Sequence, residues 1–131
     1  MTPHRFPTRI YYEDTDFSGN VYHAAYLKFF ERGRTEFLRD LGVHHAELAA
    51  QGVAFAVRSM AIEFEGAAHI DDLLTVTTEV QKVSGARLVL NQTIVRDDTV
   101  LTRASVVVAA IKTSGGPARL PAALRTLLVP D

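Results

Sequence analysis

Apolar residues recur along the chain with two different periods, and the change of period divides it. Residues 22–41 carry Tyr22, Tyr26, Phe29, Phe30, Gly33 and Phe37 at steps of three and four, and Leu27, Leu38 and Leu41 widen the stripe. That spacing predicts one long amphipathic helix. The opposite face offers Glu31/Arg34, Arg32/Glu36 and Glu36/Arg39 at helical spacing, each pair worth roughly 0.2–0.5 kcal/mol. Gly42 supplies a C-terminal stop. Residues 44–51 predict a short second helix closed by Gly52.

Elsewhere the period is two. Residues 5–12 predict a first strand, with Ile10 and Tyr12 on one face and Arg9 and Tyr11 on the other. Pro7 confines its beginning to a sheet edge or a lead-in. Val53, Phe55 and Val57 alternate with small residues, then Met60, Ile62 and Phe64 take the opposite parity, which predicts a bulge near residues 58–60. Leu74, Val76, Thr78 and Val80 mark a half-buried strand, Ser84-Gly85 a hairpin turn, and Leu88, Leu90, Gln92 and Ile94 the strand after it. Asp97-Asp98 make the next turn. Residues 101–111 are nearly continuously apolar, as in a strand with neighbours on both sides. Ser114-Gly115-Gly116-Pro117 breaks that run, and residues 120–128 predict a last short helix with Pro121 in its first turn. The order is strand, long helix, then four strands joined mostly by tight turns. This is an α+β layout of one antiparallel sheet of about five strands with a single long helix laid on it. Such a sheet has a second face and two edges to cover. The small alternating residues of 100–111 predict packing against another copy of the chain.

Composition narrows the functional classes. At 131 residues, with 47% apolar and 22% charged positions, the chain fits a single globular domain over 1–131. A formal net charge of −1 provides no basic field for a nucleic acid. Without cysteine there is no disulfide, thiol nucleophile or cysteine zinc site. No apolar run approaches the ~20 residues of a membrane span, and residues 1–9 hold His4, Arg5 and Arg9 but no apolar signal core. A cytoplasmic location is the default expectation.

The chemistry concentrates at residues 11–23, where Glu13, Asp14, Asp16, Gly19 and His23 crowd the approach to the long helix. By spacing alone Asp14 and Asp16 fit two roles. They serve as Asx-turn residues satisfying backbone N–H groups, the commoner use, or Asp16 serves as a nucleophile or base supported by its neighbours. Asn20 is a candidate helix cap. His23 falls in the first helical turn, where unpaired N–H groups and the positive end of the dipole suit an oxyanion. A metal site lacks support, since His44 and His45 point to different helix faces and no His-x3-His occurs. A serine triad lacks the G-x-S-x-G elbow, and Gly115-Gly116 is too sparse for a phosphate loop.

The run from Tyr12 to Thr35, YEDTDFSGNVYHAAYLKFFERGRT, resembles the 4-hydroxybenzoyl-CoA thioesterase family, and within it the YbgC-type acyl-CoA thioesterases. The resemblance covers essentially the whole chain. It implies the hotdog fold, in which a curved antiparallel sheet wraps one long helix. It also implies hydrolysis of an acyl-CoA thioester to a carboxylate and CoA, with CoA part of the substrate and no separate cofactor. Homo-oligomers are implied as well, either dimers or tetramers built as dimers of dimers, with active sites at subunit interfaces. Asp16 falls at the family's catalytic aspartate, as nucleophile or general base, and His23 at the helix start whose N–H polarises the carbonyl. Tyr12 matches a tyrosine lining the site. Gly19, Val21, Tyr22 and Tyr26 are expected to line it too. Ala25 stands where many members of the family have asparagine or serine, and Asn20 where an aliphatic residue is usual. The opposing reading is a non-catalytic hotdog module that binds acyl-CoA or an acyl carrier protein.

Overall fold

The computed structural model describes residues 2–128; Met1 and residues 129–131, at the ends of the expected domain, lie outside them. Five strands, β1 (His4–Arg9), β2 (Val53–Phe64), β3 (Leu73–Val83), β4 (Arg87–Arg96) and β5 (Thr99–Lys112), form one sheet. Its order is β1-β3-β4-β5-β2, and every neighbouring pair is antiparallel. Helix α1 (His23–Asp40) crosses one face over β1, β3 and β4, while α2 (His45–Ala50) packs on β2 and α3 (Ala122–Leu127) ends the described chain. This is the hotdog arrangement: a single long helix gripped by a sheet.

The alternation read from the sequence places the core. Leu74, Val76, Thr78 and Val80 of β3 and Leu88, Leu90, Gln92 and Ile94 of β4 face α1, and all are buried. Phe29 and Phe30 meet them with no exposed surface, each burial worth about 1.5–3 kcal/mol. Pro7 lies on the outermost strand, where its missing N–H costs no ladder bond. The predicted bulge falls between Val57 and Ser59, and it flips the parity of β2 halfway along.

Helix and sheet come closest at Gly33, where an added Cβ would lie 2.6 Å from Val76 Cγ1. Beside this contact runs a buried polar chain. The Arg34 guanidinium donates to Glu31 and to Gln92 Oε1 (2.9 Å), and Gln92 Nε2 donates to Phe30 O and Thr78 Oγ1, both at 3.0 Å. Every member has a partner, as a low-dielectric interior requires.

Several expectations need correction. The first strand stops at Arg9, and Tyr12 sits in a 3₁₀ turn, Tyr12–Asp14, because the backbone of Ile10 is taken by residues 71 and 72 instead of continuing the ladder. The cap of α1 is Tyr22, not Asn20, which pairs with His69 in a separate bridge. Leu27 is exposed, lying just beyond the buried arc of the helix. Arg34, read as part of a solvated charge pair, is buried because Gln92 offers its guanidinium a polar partner in the core.

Candidate active site

The stretch before α1 folds as a tight hairpin. Thr15 pairs with Val21, the Asp16 N–H donates to Asn20 O (2.8 Å), and the Gly19 N–H donates to Asp16 O (3.1 Å). Phe17, Ser18 and Gly19 form its three-residue loop. Gly19 holds φ +84°, the left-handed conformation that this hairpin type demands at its third loop position.

The two aspartates take different roles. Asp14 is buried, and its Oδ2 accepts the Tyr11 N–H at 2.9 Å. It stabilises the turn. Asp16 is solvent-exposed; its Oδ1 accepts the Ser18 hydroxyl (2.5 Å) and the Ser18 N–H (2.8 Å). Those two hydrogen bonds hold its carboxyl below the ordinary aspartate range. Its Oδ2 has no protein partner among the described residues, so an ionised oxygen faces outward.

The helix start follows the hairpin directly. The Tyr22 N–H donates to Asp14 O (3.3 Å), which ties the cap to the hairpin, and Tyr22 O accepts the Ala25 N–H (2.9 Å). The cap makes no side-chain hydrogen bond, and no acid stands in the first turn. The N–H groups of His23 and Ala24 meet no acceptor among the described residues. The positive end of the dipole is therefore left without a protein acceptor among the described residues. The His23 side chain is exposed.

The remaining expected residues divide. Tyr12 is exposed on the 3₁₀ turn, with Tyr11 and the fully exposed Phe17 near it in sequence. Gly19 has no atom within 4 Å of a built Cβ, so the turn is uncovered there. Tyr22 is half-buried against the core. Val21 and Tyr26, expected to line the site, are both buried in the core of the chain. Val21 gives its N–H to Ala68 O (2.8 Å). Tyr26 is 3% exposed, packs edge-on against Phe29 and Phe64, and accepts the Ala68 N–H on its hydroxyl at 3.1 Å. Burial pushes that phenol up. Three residues past the helix start, its side chain turns inward.

Sequence reasoning passed over residues 66–72, which flank the hairpin. Besides Ala68, Ile70 donates its N–H to Gly19 O (3.1 Å), and His69 bridges Asn20. Asp72 and Arg96 close this loop from behind: Arg96 Nη1 donates to Asp72 Oδ2 (2.9 Å) and Ala67 O (3.1 Å), and the His69 N–H donates to the same Asp72 oxygen (2.9 Å). Asp72 is pushed up by burial, but the His69 N–H and the Arg96 guanidinium outweigh that and leave its carboxyl low. The available signal was the polar run His69-Ile70-Asp71-Asp72 immediately before a strand.

No group of three or more histidine, aspartate or glutamate side chains that could hold a metal occurs among the described residues. A cavity of about 80 Å³ lies under the C-terminal half of α1, lined by Leu38, Phe55 and Leu90 among others; neither Asp16 nor His23 lines it.

The chain is 50% identical over 107 residues to an acyl-CoA thioesterase YbgC of Haemophilus influenzae, covering 81% of this chain and 79% of that protein. It is 45% identical over 108 residues to an acyl-CoA thioester hydrolase YbgC of Escherichia coli, covering 82% of this chain and 81% of the relative. A crystal structure of a probable thioesterase from Bartonella henselae superposes with a TM-score of 0.88 at 47% identity, over 92% of this chain and 100% of that one. The sequence profile of the Thioesterase-like superfamily matches residues 11–128, a span that includes the hairpin, all of α1 and four of the five strands. The chain belongs to the Thioesterase-like superfamily.

Proposed function

We propose that this protein hydrolyses acyl-CoA thioesters to a carboxylic acid and free CoA, with Asp16 as nucleophile or general base. One observation carries the reading: an exposed carboxylate whose pKa is lowered by Ser18 stands in the hairpin that leads directly into a helix start whose first two N–H groups have no acceptor among the described residues. The names of the YbgC relatives support acyl-CoA as the substrate class.

The thioester oxygen is received at the N-terminus of α1 near His23. There the dipole and the two N–H groups stabilise the charge that develops as the carbonyl becomes tetrahedral; one such donor is worth ~10²–10³ in rate. Attack by Asp16 expels CoA thiolate and leaves a mixed anhydride, which water hydrolyses. As a general base, Asp16 instead takes a proton from the attacking water. Single turnover in heavy-oxygen water separates the two, because label entering Asp16 marks the anhydride. Tyr12, Phe17 and the half-buried Tyr22 supply apolar surface for the acyl group, and Gly19 keeps the turn open to it.

Tyr11, Tyr12, Phe17, Leu27, Phe64 and Ile70 are all exposed large apolar or aromatic side chains in the single chain. That supports a homo-oligomer, a dimer or dimer of dimers, and a sedimentation measurement showing only monomer at micromolar concentration would count against it.

The direct test is thiol release from a panel of short, long and aromatic acyl-CoAs by the native protein and Asp16→Asn. The native chain turns over part of the panel, and Asp16→Asn keeps its fold but loses hydrolysis. Retained activity removes Asp16 from its role. Tight binding without turnover by the native chain would replace hydrolysis with a non-catalytic binding module.

A further inference from the structure

We propose that Arg96 and Asp72 are positioning residues for the Asp16 hairpin, acting through residues 67–70. The proposal rests on the catalytic reading of Asp16 above.

The hairpin has little support of its own. Beyond its internal hydrogen bonds and the tie of Tyr22 to Asp14, its second arm is held by the 67–70 segment. The Val21 N–H goes to Ala68 O, Gly19 O takes the Ile70 N–H, and Asn20 stands opposite His69. Both arms of this small three-stranded ladder run as antiparallel neighbours, so Asp16, Asn20 and His69 fall on one face, with Val21 and Ala68 turned into the core. The carboxylate is thus the outer member of a row whose far end is the 67–70 segment.

That segment is an irregular loop, so something rigid must fix it. Arg96 does so from the last residue of β4, bridging Ala67 O and the Asp72 carboxylate through one nitrogen. The same Asp72 oxygen takes the His69 N–H, and the Asp72 backbone is locked in turn by the Ile10 N–H on its carbonyl (2.9 Å). Asp71 adopts φ +70°, unusual for a residue with a side chain. Arg9 Nη1 donates to its carbonyl at 2.8 Å, which helps hold that conformation. The Ala68 N–H is used at the same time by Tyr26 of α1. One short loop therefore fixes both the hairpin and the first turn of the helix, and Arg96 and Asp72 join it to the sheet. The two groups that must face one thioester are kept in register by a pair that touches neither.

The test compares Arg96→Met, Arg96→Lys, Asp72→Asn and the double variant Asp72→Asn/Arg96→Met with the native protein. Arg103→Met, which breaks an ion pair with Glu65 elsewhere on the sheet, serves as control. With the best acyl-CoA of the panel, Arg96→Met lowers kcat on the order of 10- to 100-fold with KM little changed, as misplacement of about an ångström does. Arg96→Lys recovers part of the loss, because it keeps a positive charge near Asp72 on a side chain of different length and geometry. The double variant is no slower than the worse single variant, and Arg103→Met keeps native kcat. Amide exchange supplies a readout independent of activity: Val21 and Ile70 exchange at least about tenfold faster in Arg96→Met while β5 amides are unchanged. Native kcat in Arg96→Met, unchanged exchange at Val21, or equal acceleration of every amide each overturns the proposal. If the native protein hydrolyses no acyl-CoA, the catalytic reading falls, and the exchange measurement still decides whether Arg96 holds the hairpin.

Discussion

Replacing Gly33 with alanine sets two effects of known sign against each other. Alanine favours a helix interior over glycine by about 1 kcal/mol. On an open helix face the substitution would stabilise. Here the new Cβ falls 2.6 Å from Val76 Cγ1, 3.3 Å from Val76 Cβ and 3.4 Å from Gln92 Nε2, whereas carbon atoms in contact settle at about 3.5–4.0 Å. Roughly 1 Å must be found. Val76 has no exposed surface, is β-branched, and sits in a strand paired on both sides, so its retreat is resisted. Shifting Gln92 instead stretches its hydrogen bonds to Phe30 O and Thr78. Overpacking of this kind costs about 1–3 kcal/mol, and disturbing the amide adds to that. After the propensity gain, Gly33→Ala should destabilise by about 1–2 kcal/mol, which is roughly 3–8 °C in Tm for a chain of this size. Thermal and urea unfolding followed by circular dichroism measure it. Val76→Ala introduced beside Gly33→Ala should return part of the loss, so the two changes couple by more than additivity allows. A Gly33→Ala protein melting at or above the native temperature would show that helix and sheet are not in the close contact described, and the reasoning would fail.

Other consequences are equally open to measurement. Gln92→Leu strips Arg34, Phe30 O and Thr78 of a partner in the core, and urea unfolding should register a loss of roughly 2–4 kcal/mol. Tyr26→Phe removes the acceptor of the Ala68 N–H and should cost about 1–2 kcal/mol in the same assay. The folded-state pKa of Asp16 lies below its unfolded value, chiefly through the Ser18 hydroxyl and N–H. The acid limb of kcat/KM should therefore sit below the ordinary aspartate range, and Ser18→Ala should move it up in a pH–rate profile. Asp72 is also depressed on folding. Its contribution to stability is complete above the unfolded aspartate pKa of about 3.9 and is lost as pH falls through the lower folded value; acid titration of Asp72→Asn should show a shallower fall than the native chain.

Much of the architecture was legible because burial imposes a period. The rows Leu74 to Val80 and Leu88 to Ile94 and the parity switch in β2 follow from which face meets the helix. Where a residue's place depends on a distant partner, local pattern failed. Arg34 is at home in the core because Gln92, far along the chain, turns its carbonyl oxygen to it, beside its local partner Glu31. Tyr12 alternates like a strand residue, but residues 71 and 72 claim the backbone of Ile10 and end the strand before it. Resemblance, not local pattern, marked Asp16 and the helix start as candidates, and the hairpin's pairings tie the stretch that carries Asp16 to the cap of α1. Tyr26, read on the apolar stripe of the helix, is buried, and a partner distant in sequence, the Ala68 N–H, occupies its hydroxyl. Residues 66–72 have neither period nor a familiar motif, and their importance lies in backbone groups that every residue carries.

The contact at Gly33 also works as a fulcrum. From Gly33 to His23 is ten residues, a lever arm of about 15 Å at 1.5 Å per residue. A tilt of only about 5° at the fulcrum swings the helix start by roughly 1.3 Å, beyond the ~0.5 Å within which oriented donors stay productive. A side chain that lifted the helix off Val76 would therefore be felt at the far end of the beam, where its first N–H groups are aimed.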